Sequence, residues 1–219
     1  MPEDDYLRLR VHAHGEIPVS DVSQLLTAIE YAYNSVYVFE TIVNRYLQTR
    51  RHFPFQFDYP YWFDLDFFPR SRRLGRMRRA TEYDLEPDNI RLSVLPRDQL
   101  TVQAVKLLSP GFWDFLGRTF SLEAVGKFLA DRHERLKDVE YRKRTERERL
   151  DLENQLAQTK PWRERVALLK EMGVSERDLA PALNALVNRP LSALGQIQDR
   201  NLIGSAEIIG GGEKPTKAT

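Results

Sequence analysis

Between Ser121 and Pro161 the chain contains no proline, and its pattern reads as one uninterrupted helix. The 39 residues before Pro161, at about 1.5 Å each, would reach about 58 Å, whereas a compact globule of 219 residues is only roughly 45 Å across. Such a helix must project, fold back against later helices, or lie against another chain. It opens amphipathic, with Leu122, Val125, Phe128, Leu129 and Leu136, and then turns almost wholly charged. From Asp131 to Arg149 eight basic and six acidic residues interleave, which reads as an exposed face with partial i,i+4 pairing. Lys143 and Glu146 fall where a heptad seam needs apolar residues, so no continuous coiled coil is expected.

The N-terminal part alternates. Leu7, Leu9, Val11 and Ala13 occupy one face of a strand, and Arg8, Arg10, His12 and His14 the other. Ser20 or Asp21 then caps a helix running to about Thr49, whose stripe includes Val22, Leu25, Ile29, Tyr33, Val36, Val43 and Leu47. Further on, Ile90, Leu92 and Val94 alternate, Pro96-Arg97-Asp98 makes a turn, and Leu100 to Leu108 returns, which reads as a hairpin. Phe112, Trp113, Phe115 and Leu116 form a short apolar patch, and Ser121 is the expected cap of the long helix. After Pro161 three short helices are expected. The first ends at Gly173, the second opens at Ser175 and the third starts at Pro190.

The expected fold class is therefore α+β, a small β-α-β-β sheet domain followed by a long charged helix and short C-terminal helices. Residues 1–120 make the α+β domain with an insertion at 50–88, residues 121–160 the long helix, 161–203 a short-helix bundle, and 204–219 a flexible tail. The second face of the sheet, with Arg8, Arg10, Thr101 and Gln103 but also Val105 and Leu107, is half apolar and is expected to be covered.

The insertion carries the most distinctive composition. Nine aromatics fall in Phe53–Phe68, broken by Pro54 and Pro60 and interspersed with Asp58, Asp64 and Asp66. Tyr59, Tyr61, Trp62 and Phe63, with Phe112 and Trp113, are the expected interface residues, because aromatics dominate buried contacts. Next come six arginines in ten residues: Arg70, Arg72, Arg73, Arg76, Arg78 and Arg79. Guanidinium forks suit phosphate, and upstream rings could stack on bases, so this cluster is the candidate anion or nucleic-acid site. The competing reading is neutralisation by the flanking carboxylates.

Several chemistries are excluded or disfavoured. Zero cysteines rule out disulfides, thiolate zinc sites and cysteine nucleophiles. His12 and His14 share a strand face, as metal ligands can, but Arg8 and Arg10 on that face oppose a cation, so no metal and no cofactor is expected. No GxSxG, HExxH or phosphate-cradling glycine loop occurs, and no catalytic residue is assigned. The acidic start, MPEDDYLRLR, does not read as a secretory signal, and no apolar run is long enough to span a membrane, so a cytoplasmic location is expected.

The run from Ile90 to Arg135, with SPGFWDFLG and then LEAVGKFLADRHERLKD, looks like segments of uncharacterised bacterial proteins; the resemblance implies a bacterial source and carries no activity. Leu169-Lys-Glu-Met-Gly-Val-Ser175 is similar to the first helix and loop of ubiquitin-associated three-helix domains. That family has an aromatic where this chain has Val174, so the segment is read as structural. The expected function is a non-enzymatic interaction or assembly protein, a homo-oligomer associating through its helical half, with the aromatic loop as a further contact and an unknown protein partner. The alternatives are nucleic-acid binding through the arginine cluster, and an enzyme or small-ligand sensor with a site in the β half.

Overall fold

The computed structural model describes residues 6–13, 18–52, 87–106, 111–141, 162–200 and 202–211. The fold class is α+β. A four-stranded sheet has the order β2-β3-β1-β4, with β1 at Tyr6–Ala13, β2 at Thr101–Lys106, β3 at Gly111–Arg118 and β4 at Ile203–Gly211. All three pairings are antiparallel. Helix α1 (Val19–His52) connects β1 towards β2, and α3 (Thr119–Tyr141) follows β3 directly. This is the split β-α-β plan, β-α-β-β-α-β. Onto it are added a short α2 (Pro87–Ser93) and, between α3 and β4, α4 (Arg163–Glu171), α5 (Glu176–Leu183), a π-helical turn (Asn184–Asn188) and α6 (Arg189–Asp199). Among the described residues no helix is long and apolar enough to cross a membrane.

Strand β1 forms because its alternation puts Leu9 and Val11, both fully buried, on the helix-facing side. Phe115 and Trp113 stand opposite them on β3. The helices close over this face. Gly126 brings α3 onto the sheet so tightly that a Cβ there would lie 2.9 Å from Leu9 Cδ1. Leu25, Ile29, Val36 and Phe39 of α1 and Leu122, Val125 and Leu129 of α3 complete one core, which α6 joins through Leu191 and Leu194. Each such side chain contributes roughly 1.5–3 kcal/mol by leaving water.

The C-terminal helices pack back on the molecule. Helix α6 lies against both α1 and α3. Arg132 of α3 crosses Gly195 and pairs with Asp199 at 2.6 Å, and Gln198 donates to the Leu129 carbonyl at 3.0 Å. Trp162, buried just before α4, meets Phe39 and Phe120 edge-on at 5.6 and 5.3 Å. Helix α4 ends in a Schellman turn: Gly173 takes φ +89°, Val174 N–H donates to the Leu169 carbonyl, and Gly173 N–H to that of Lys170. Leu169 and Val174, both buried, supply its apolar contact.

Four expectations are corrected. Residues 90–94 are not a strand: Pro87 and Asp88 open a helix in which Ile90 is buried and Leu92 points outward, and Val94 just after it is buried as well. The Phe112–Leu116 patch is the heart of the central strand β3, where Asp114 and Leu116 are buried on one face as Trp113 and Phe115 are on the other. Ser121 does not cap α3, which starts at Thr119; its side chain is fully buried. Of the expected tail, residues 204–211 pair with β1 within β4, and 212–219 lie outside the described residues. The continuation of the long helix past Tyr141, and the insertion up to Glu86, lie outside the described residues.

Candidate functional site

Asp98 closes a single 3-10 turn (Pro96–Asp98) between α2 and β2 and is 1% exposed. A carboxylate at that depth needs partners, and three elements supply them. Tyr37 of α1 donates to Oδ2 at 2.8 Å, Tyr6 of β1 donates to Oδ1 at 3.1 Å, and Arg118 Nε, at the end of β3, lies 2.9 Å from Oδ1. Tyr33 completes the hub: its hydroxyl donates to the Asp98 carbonyl at 2.6 Å and accepts from the Arg118 backbone N–H at 2.9 Å. Its ring lies on Gly117, where a Cβ would sit 2.6 Å from Tyr33 Cε2. Burial pushes the Tyr33 and Tyr37 hydroxyls well above their ordinary pKa; for Tyr37 the bond to Asp98 adds to the shift. The hub fixes the approach to β2 against α1 and the sheet. Beside it opens a cavity of about 370 Å³ lined by Asn44 and Gln48 of α1, Leu95, Arg97 and Phe120 among others.

The strand that this hub delivers, β2, lies at one edge of the sheet, and among the described residues no strand pairs with its outer side. Every residue after Thr101 is exposed. Val102 and Val105 stand 45% and 49% exposed, and Leu92 and Leu95, immediately upstream, are exposed as well. Counting by twos would put Val105 on the face of Arg8 and Arg10, as expected above. A bulge between Val102 and Ala104 reverses that. Val102 stands opposite Phe115 and Val105 opposite Trp113, both on the helix side of the sheet, while Thr101 and Ala104 share the face of Leu116 and Asp114.

The opposite face of the sheet carries polar pairs. Arg10 and Asp114 sit directly across β1 and β3 and bond bidentately at 2.8 Å, with the guanidinium 4.2 Å from the Phe112 ring centre. The Asp114 bond raises the Arg10 pKa. His12 Nε2 lies 3.2 Å from Glu207 Oε1. His14 lies outside the described residues, and no group of three metal-ligating side chains occurs among those described.

Of the residues singled out from sequence, Phe112 is half-buried beneath Arg10, and Trp113 is 4% exposed within the core of the chain itself. Tyr59, Tyr61, Trp62, Phe63 and the arginines Arg70 to Arg79 lie outside the described residues. The sequence reading missed Asp98 as more than a turn residue, and missed Tyr6, Tyr37 and Arg118 altogether. Tyr6 and Tyr37 stand 92 and 61 residues from Asp98 along the chain, Arg118 comes from a different strand, and the four share no local pattern. Against protein-family models, curated proteins and solved structures, the chain matches none.

Proposed function

We propose that the chain is a non-enzymatic, self-associating interaction protein that docks through the β2 edge of its sheet. One observation carries this reading: two half-exposed valines on an edge strand that pairs with no strand on its outer side among the described residues, continuous along the chain with exposed Leu92 and Leu95. An open edge offers a row of backbone donors and acceptors, and proteins that stay monomeric usually blunt it. The other edge is blunted. Strand β4 has two register shifts against β1, carries Glu207, and ends in Gly210 at φ +111° and Gly211. Strand β2 has one register shift, a single charge, Lys106, at its far end, and no glycine.

The helical half supports self-association less than its length promised, because α6 packs on α1 and α3 and the π-helical turn on α1 of the same chain. Light scattering from micromolar to millimolar protein tests the proposal. A mass approaching twice 25.6 kDa as concentration rises is expected, and a monomer throughout refutes it. The cavity beside Asp98 supports the second reading, a small-ligand sensor. Saturable shifts of the Asn44 and Gln48 amide resonances with a small polar ligand would favour that reading.

A further inference from the structure

We infer that β2 pairs with β2 of a second copy, antiparallel, about a two-fold axis between Gln103 and Ala104. The inference rests on the self-association reading above and names its partner. Written against itself in reverse, Thr101–Lys106 (TVQAVK) places Val102 opposite Val105, Gln103 opposite Ala104, and Thr101 opposite Lys106. Directly opposed residues of an antiparallel pair project to the same face, so each copy's two valines meet two valines. The single charge meets a threonine and never its own copy. No other register pairs both valines of one strand with valines of the other, and every other register leaves some of the six residues unpaired.

The bulge makes this arrangement work. Residues three apart normally project to opposite faces of a strand, and only the extra residue between Val102 and Ala104 brings Val102 and Val105 to one side. The interval between the valines is identical in both copies, so the register survives the irregularity. The contact is isologous, closes after two copies, and joins two four-stranded sheets into one. Six residues per side bury less than the roughly 800 Å² per partner of a standard interface, which places the dimer among weak, concentration-dependent ones.

The chain has no cysteines, so introduced thiols report without background. Opposed residues in an antiparallel pair have Cα atoms about 4.5–5.5 Å apart, inside the span a disulfide bridges. Val102→Cys and Val105→Cys proteins, mixed under mild oxidation, should give a covalent dimer, and each alone at least tenfold less. A second variant, Val102→Lys with Val105→Lys, should raise the dissociation constant at least tenfold while keeping the native circular dichroism spectrum. A dimeric wild type that yields no excess cross-link in the mixture, or that still dimerises with both lysines, overturns the β2 pairing and leaves self-association standing elsewhere. A wild type monomeric at millimolar concentration overturns both.

Discussion

Replacing Asp98 by alanine tests whether the polar hub holds the β2 approach in place. The substitution removes the acceptor for Tyr37 at 2.8 Å, for Tyr6 at 3.1 Å and for Arg118 Nε at 2.9 Å. The hydroxyl of Tyr37, on a 9% exposed residue, would lose a buried partner at about 2 kcal/mol. The Arg118 bond is charge-assisted, but the guanidinium is 21% exposed and lies over the Tyr6 ring, so about 1.5 kcal/mol is lost there. Tyr6 is nearer solvent and adds about 0.5 kcal/mol. The total is about 4 kcal/mol, large against a typical stability of about 5–15 kcal/mol. With a urea slope near 2 kcal/mol per molar, the unfolding midpoint should fall by about 2 M. A double-mutant cycle sharpens the test. Tyr37→Phe alone should cost about 1 kcal/mol, and close to nothing once Asp98 is alanine. Additive costs, or a loss below about 1 kcal/mol for Asp98→Ala, would show that the contacts do not act as a hub.

Gly117→Ala should destabilise by about 2–3 kcal/mol in urea unfolding, because the facing Tyr33 ring is pinned by two hydrogen bonds. Gly126→Ala clashes with the movable end of Leu9 and touches Ile208 only in ordinary contact, and should cost less than half as much. Tyr33 and Tyr37 have pKa values raised above 10.0, so the stability they contribute is whole below pH 10 and lost as pH rises towards their folded values. Alkaline unfolding should steepen by about 1.4 kcal/mol per pH unit for each tyrosine, and Tyr37→Phe should remove one such share. Glu176 is held below 4.5 by its bond to Lys170, so its contribution is present above that value and lost as pH falls through the folded midpoint. Its carboxyl carbon resonance should titrate below 4.5 and move back up in Lys170→Met.

Where one face of an element is buried and the other wet, the sequence was readable: β1, α1 and the three short helices of the C-terminal half follow that rule. Strand β3 hid because a strand buried on both faces shows no alternation, and its one polar core residue, Asp114, is matched by Arg10 from another strand. Residues 90–94 satisfied two periods at once. Ile90, Leu92 and Val94 alternate, yet Ile90 and Val94 are also four apart, and burial on α1 chose the helix. Strand β4, with three glycines in its nine residues, has little strand preference of its own and exists through β1. The hub was illegible for a related reason. Its members are ordinary residues made special by which strands lie side by side. The orientation of Val105 turned on one bulge, which nothing in the local sequence announces.

The adjacency of β1 and β4 has a consequence for how the molecule assembles. Strand β1 occupies the second place from one edge, yet both its neighbours arrive late: Val11 waits for Trp113 on one side and for Ala206 on the other. Helices α1 and α3 can form from neighbours in sequence, but the sheet closes only across loops of about a hundred and about two hundred residues. Such non-local closure slows folding by orders of magnitude relative to helical domains of similar size. Until β4 docks, β1 offers its own backbone edge beside Leu9 and Val11, side chains that are fully buried at the end of the process. During that interval another copy's β4 fits the gap as well as the chain's own. Refolding yield should therefore fall with protein concentration, and strand-exchanged oligomers should accumulate when refolding is fast-diluted at high concentration.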